Sequence, residues 1–332
     1  MTHNFPSSSY SASLPDLLIE GVTQDYAVVS FTANGTAIYS EVLYPDTSGR
    51  ISVLSISRMI TQFMRRRSLL QMSLVMAITP KGGSATSKTC TVYYSEVDIP
   101  DQTVFTSRFL TMCDGPRYTN IGRREYLYSR SSAAVAVGTF IDGTSSRQTL
   151  TPAGSSSGIY MFDLTNLLAA TNGKRLAAMT VTSGSRTQQY IIRPEDDSDI
   201  ECLVFKNAFG LRETMYFEGT LAVKPSYKRS EILIGRTVVH YDIDETVSHE
   251  STTGPLTDGM AKLFRDLLRS YDIRLLPTGQ KVVISDSKAD DDNADDRLTR
   301  MTLTWMLAQS VQTTDGEFTG GIFDDTFDYT FN

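Results

Sequence analysis

Residues 27–60 read AVVSFTANGTAIYSEVLYPDTSGRISVLSISRMI, and residues 135–168 read VAVGTFIDGTSSRQTLTPAGSSSGIYMFDLTNLL. In both, an alternating strand reaches a turn (Asn34-Gly35-Thr36, Asp142-Gly143-Thr144) and a second strand runs to a proline, Pro45 or Pro152. A Ser/Gly turn follows (Ser48-Gly49, Ser157-Gly158), then a short strand and a helical turn. Asn-Gly and Asp-Gly between alternating strands are strong hairpin signals, because both central residues tolerate positive φ. Ser55 and Asp163 stand where helix N-caps belong, and Ile56, Met59 and Ile60 match Leu164, Leu167 and Leu168 at helical spacing. Each copy continues into two more strands, LLQMSLVMAI and TCTVYYSEV in the first, RLAAMTVTS and TQQYIIRP in the second. Turn, proline, glycine and helix recur in one order at an offset of about 108 residues, so the pattern is an internal repeat of two tandem β-sandwiches.

The expected fold is therefore mainly β. Residues 1–100 form one sandwich and 101–195 the second, its repeat, with the boundary near Ile99-Pro100-Asp101. After the acidic linker Pro194-Glu195-Asp196-Asp197-Ser198-Asp199, residues 200–308 form a third, α+β or β-rich unit with one helix over 258–270. It opens with a hairpin in ECLVFKNAFGLRETMYFEGT (201–220), whose acidic residues are expected to face solvent. EILIGRTVVHYDI supplies further strands. The helix carries Met260, Leu263, Phe264, Leu267 and Leu268 on one stripe, with Asp258 as its expected cap. Met301, Leu303, Trp305 and Leu307 alternate with Arg300, Thr302 and Thr304, the pattern of a half-buried strand. In residues 309–332 Phe318, Phe323, Phe327, Tyr329 and Phe331 are spaced by Gly, Thr and Asp, which builds no core and reads as an extended arm for contacts with another subunit.

Composition narrows function by exclusion. At 332 residues with 40% hydrophobic and 21% charged, the chain is that of a globular protein of two or three units. A formal charge of −7 offers no global positive field for a nucleic acid. No run approaches the ~18 apolar residues of a membrane span, and the start lacks the basic and apolar regions of a secretory signal, which predicts a protein made in a cytoplasm. Cys90, Cys113 and Cys202 form no metal-ligand spacing and read as buried or free thiols.

Catalytic patterns are weak. Gly154-Ser155-Ser156-Ser157-Gly158 matches G-x-S-x-G, but it leads into a strand instead of a helix, so it reads as a turn. Lys81-Gly82-Gly83-Ser84 lacks the glycine-to-lysine spacing of a phosphate loop and reads as a hairpin turn. Across Asp290 to Asp296 no glycine or bidentate glutamate falls where an EF-hand needs one, which leaves a solvated acidic turn. His240 sits in a strand, and Arg65-Arg66-Arg67 closes a helix where cations suit the dipole and where a partner could dock. A carboxylate pair for glycoside hydrolysis is defined by separation in space, so spacing along the chain decides nothing about it. No catalytic, cofactor-binding or metal-binding residue is assigned.

One resemblance adds to this reading. Asn207-Ala208-Phe209-Gly210 followed by Glu213-Thr214 and Tyr216-Phe217-x-Gly219 resembles a hairpin of virion structural proteins of Bacteroidetes phages and prophages. Phe109-Leu110-Thr111 with Gly122-Arg123-Arg124-Glu125-Tyr126-Leu127, Val283 to Ser287, and Leu303-Thr304-Trp305 continue the likeness in order over about residues 100–307. In those proteins the chain stops soon after the Trp strand; here some 25 residues follow. The resemblance implies a non-enzymatic component of the virion tail region, such as tail tip, baseplate, collar or fibre base, without cofactor, forming a ring or other homo-oligomer with other virion proteins. The alternative is an adhesin module for a host-surface glycan or protein. Phe209 is expected to anchor packing and Asn207, Gly210 and Glu213 to shape the hairpin.

Overall fold

The structure is a computed structural model that describes residues 1–99, 108–169, 173–193, 201–290 and 299–308. The proposed boundary at Pro100-Asp101, the acidic linker, the acidic cluster from Asp291 onward, the side chain of Leu168 and the aromatic arm (Phe318, Phe323, Phe327, Tyr329, Phe331) lie outside the described residues.

The fold is mainly β, with several sheets and, among the described residues, three α-helices, and its first two parts are sandwiches of one design. In the first, a five-stranded sheet runs Ser8–Tyr10, Thr86–Tyr93, Gln71–Pro80, Ala27–Ala33, Thr36–Leu43. In the second, Arg117–Thr119, Arg186–Ile192, Leu176–Ser183, Ala134–Phe140 and Ser145–Leu150 take the same places. In both, the strand that enters the sheet is parallel to its neighbour while the other neighbours pair antiparallel. A three-stranded sheet accompanies each; the sequence repeat is a repeat of topology in the five-stranded sheets, while the third strand of the small sheet differs, Thr2–His3 beside Leu17–Glu20 in one and Gly154–Ser156 beside Ile159–Asp163 in the other.

The turns differ in mechanism. Asn34 and Gly35 both adopt positive φ (46° and 82°), a two-residue turn between Ala33 and Thr36. At the matching turn only Gly143 does (78°); Asp142 instead accepts from the Thr144 backbone N–H at 2.9 Å. The expectation that both central residues need positive φ is corrected there, because an aspartate side chain can brace the turn from a right-handed backbone.

Helix α1 (Ile56–Arg66) buries Ile56, Ile60 and Met64 on one stripe and ends in Arg65 and Arg66. Ser55 occupies the N-cap but in a left-handed conformation (φ 59°), and its side chain caps nothing; its N–H donates to Asp16 Oδ1 at 2.7 Å. Helix α2 (Thr165–Ala169) is its shorter counterpart, entered by Asp163, whose carboxylate accepts from the Thr165 N–H. The G-x-S-x-G stretch is a hairpin, Gly154–Ser156 pairing with Ile159–Asp163 through a turn at Ser157 and Gly158.

The third part departs from that design. Strands Glu201–Lys206 and Arg212–Phe217 form the hairpin the alternation predicts, with Ile273–Leu275 beside them. A four-stranded sheet runs Leu221–Ile234, Thr237–Thr252, Arg300–Leu307, Val282–Asp290. Helix α3 (Asp258–Arg269) packs Leu263, Phe264 and Leu267 into a core with Phe205, Met215, Leu303 and Trp305. Its cap is Thr257, which accepts from the Met260 N–H at 3.2 Å and donates to Pro116 O, while Asp258 is the first helical residue. A threonine one residue earlier reaches the orphan N–H, and Asp258 still sits at the positive end of the helix dipole.

The first two strands of that sheet continue as a long ribbon. The inner strand, Thr237–Thr252, is held by Arg300–Leu307 only from His249 to Thr252; beyond that it pairs with the outer strand, Leu221–Ile234, alone.

Candidate functional site

The Asn207-Ala208-Phe209-Gly210 turn lies where all three parts meet. Asn207 organises it: Oδ1 accepts from the Phe209 and Leu211 N–H groups at 3.0 and 3.1 Å, and Nδ2 donates to Leu110 O at 2.9 Å and Glu213 Oε2 at 3.0 Å. Ala208 donates to Asp266 Oδ2 on α3 and its carbonyl accepts from the Glu96 N–H of the first part. Phe209 is buried in a cluster of Tyr10 and Ile99 from the first part and Leu110, Tyr128 and Ile159 from the second. Its ring meets Tyr10 edge-on with centroids 6.2 Å apart. Gly210 takes a φ of 73°, and a Cβ there would stand 3.1 Å from the Tyr94 ring and 3.3 Å from Leu70.

Glu213 does not face solvent. It is 2% exposed and pairs with Arg117, itself 2% exposed. Thr111 Oγ1 donates to Glu213 Oε1 at 2.5 Å and accepts from Arg117 at 2.6 Å. Glu125, also buried, lies 3.7 Å from the other side of the guanidinium and accepts from Thr119 Oγ1 at 2.9 Å. A second, partly buried set joins Arg123 and Arg193 to Glu218, and Arg193 reaches Pro255 O at 3.2 Å. Alternation put the acidic residues outside because it sees one sheet face as water; here the second part covers that face with arginines.

Burial opposes the charge on Arg117, yet its carboxylate neighbours, Glu213 first, hold its pKa well above the ordinary value. Burial raises Glu125. Asp266 is pushed up to about 7, by burial first and then by the charge of Glu213. The Arg117 Nε and Tyr190 hydroxyl are buried without hydrogen-bond partners among the described residues. Arg117, Glu213, Glu125 and Tyr190 face each other across closed packing and clamp chain segments together, while Asp266 lines a recess of about 440 Å³ with Glu96, Asn207 and Ala208.

The segments that carry the sequence resemblance thus converge in space. Leu110 and Thr111 bond Asn207 and Glu213, and the Arg124 backbone bonds Thr214 and Tyr216. Arg117, Thr119 and Glu218 were not singled out from sequence. Their signal was faint: Thr119 is an ordinary strand residue, and the charges of Arg117 and Glu218 meet Glu213 and Arg123 at 96 and 95 positions along the chain.

Two further recesses open nearby. One of about 130 Å³ lies between the first and third parts, lined by Arg65, Tyr94, Glu96, Asn207, Gly210 and Tyr271. Arg65 stacks 4.1 Å above the Tyr271 ring and pairs with Glu96 at 3.1 Å. The other, about 590 Å³, is an open groove along α1 with Arg58, Phe63, Arg66 and Arg67 in its wall. His240 is exposed on the ribbon, 3.4 Å from Glu231. Cys90, Cys113 and Cys202 are all buried and unbridged, and among the described residues no three metal-ligating side chains converge.

No protein-family model and no curated protein matches the sequence. Among solved structures, a titin structure is 10% identical, covering 58% of this chain and 100% of its own, with a TM-score of 0.23. A 1.5-MDa bacterial ice-binding adhesin is 10% identical over 75% of this chain and 88% of its own, with a TM-score of 0.17. The Bacteroides ovatus protein SGBP-B, solved with a mixed-linkage heptasaccharide, is 12% identical over 71% of this chain and 65% of its own, with a TM-score of 0.17. Scores this low transfer neither fold nor function.

Proposed function

We propose that the chain is a non-enzymatic structural subunit that assembles with copies of itself and with other proteins into a larger particle, and that the particle is the tail region of a phage virion, as the sequence resemblance implies. The observation that carries the assembly reading is the ribbon. Ten of its large apolar side chains are 41% or more exposed, from Leu221 to Ile243. A lone two-stranded ribbon is marginal in water, and so large an exposed apolar surface marks a contact with another chain. The sealed junction supports the same reading, since it ties the three parts of the chain into one body. In this proposal the aromatic residues Phe318, Phe323, Phe327, Tyr329 and Phe331 form a second, extended contact with a neighbour, and no cofactor takes part.

Light scattering and negative-stain imaging of the purified full chain test the reading. The expected result is a defined particle of many 36.8 kDa subunits. A strict monomer at every concentration that instead binds a host-surface glycan or protein would replace assembly by adhesion.

A further inference from the structure

The ribbon says more than that something covers it. Successive residues of a strand face opposite sides, and directly paired residues share a side. Val223, Tyr227, Leu233, Val238, Ile243 and Val247 accordingly lie on one face, the face on which His249 and Ser251 meet Trp305 at the core. The opposite face is polar through the middle of the ribbon. There the outer strand contributes Lys224 and Lys228 and the inner strand Asp242 and Asp244. Counted whole, the outer strand holds three cations, Lys224, Lys228 and Arg229, against Glu231 alone. The inner strand holds four carboxylates and no lysine or arginine.

Each strand also has an open backbone edge. The outer strand is the last in its sheet, and the inner strand is free on its far side over residues 237–248, among the described residues. Pro225 interrupts the outer edge near the body, a usual device against indiscriminate pairing, and leaves residues 226–234 free to pair.

We propose that ribbons of successive copies of this chain join edge to edge, the basic outer strand of one against the acidic inner strand of the next. This rests on the assembly reading above and names its surface. Because the two strands of a ribbon run in opposite directions, copies related by a rotation with parallel ribbons give an antiparallel pair at every junction. The new pairs set Lys228 and Arg229 beside a neighbour's Asp242, Asp244 and Glu245. A twofold dimer is disfavoured, since outer strand on outer strand, or inner on inner, places like charges side by side. The contact is therefore heterologous, and repeating it closes a ring or propagates a filament. The apolar rows, with Arg229 and Glu245 among them, then lie flank to flank on the side of the bodies, and Lys228, Asp242 and Asp244 face water on the other side.

Charge swapping tests the proposal on the full chain. One variant carries Lys228→Glu and Arg229→Glu, a second carries Asp242→Lys and Asp244→Lys, and a third carries all four. We expect the first two to need at least tenfold more protein for half-assembly, with unfolding midpoints only slightly lowered, because Lys228 and Asp244 face each other across one ribbon but both are exposed. The third should assemble again, yet form particles separate from the parent chain when differently tagged copies are mixed, since its inner strand now repels the parent's outer strand. Undiminished assembly of the first two, or free mixing of the third with the parent, would overturn edge pairing while leaving assembly itself standing. A parent chain that never assembles would overturn both.

Discussion

The junction and the ribbon are opposite solutions to placing charge on a β-sheet. At the junction Arg117, Glu213 and Glu125 are withdrawn from water, and each charge is answered inside the chain. On the ribbon Lys228, Arg229, Asp242 and Asp244 stand in water beside apolar side chains that have no cover of their own. The first region is complete in one copy, and in the proposed assembly the second is completed by another. The difference teaches where the proposed assembly function is to be sought: in surface the fold leaves unfinished.

Substitutions should separate the two regions by the size of their effect on the isolated chain. Glu213→Ala strips Arg117, Thr111 and Asn207 of a shared acceptor and strands a buried cation, so a loss of about 3–5 kcal/mol is expected in denaturant unfolding. A loss below 1 kcal/mol would mean that water reaches the cluster. Phe209→Ala empties the centre of the three-part cluster and should cost about 3 kcal/mol, with proteolysis between the parts as a second readout.

Asp266 sharpens the comparison through pH. Its folded pKa of about 7 lies above the ordinary value of 3.8, so the folded chain holds this proton more tightly than the unfolded one. The stability it brings is whole below about pH 4 and drains away as pH rises through 7, by at most about 4 kcal/mol. Asp266→Asn keeps an acceptor for the Ala208 N–H without the charge. Its melting temperature should therefore fall less than the parent's between pH 5 and pH 8, and equal slopes would show the carboxylate to be ionised throughout.

Smaller effects follow. Gly210→Ala forces a left-handed alanine against Tyr94 and should cost about 1–2 kcal/mol. Ile243→Ser on the ribbon should change the stability of the isolated chain by less than about 0.5 kcal/mol, yet weaken assembly, a split no junction variant should show. Truncation after Leu307 should leave unfolding unchanged and reduce assembly; unaltered assembly would remove the aromatic arm from the proposal.

Much of the fold was legible because its signals are local. Asn34-Gly35 needs no distant partner to turn a chain, and the stripe on α3 marks a buried face wherever the helix docks. The N-caps were legible only in part: Ser55 holds its place without a side-chain bond, and Thr257 acts in place of Asp258, because a hydroxyl and a carboxylate one position apart compete for the same N–H. The site was legible only in part. Asn207, Phe209, Gly210 and Glu213 stood out as a turn, but Glu213 was placed in water, and Arg117 drew no notice.

By itself the sequence determined the alternation, the turns, the helix stripes and the repeat, all of which arise from the preferences of residues a few positions apart. The tertiary structure alone decided that the repeat is one of strand order, that the Asn207 turn is a three-way keystone, and that the hairpin after Leu221 outruns its sheet. Burial and charge pairing depend on segments brought together from some hundred residues apart. The length of a strand left uncovered depends on where its neighbour stops, and neither quantity is written in any local window of the chain.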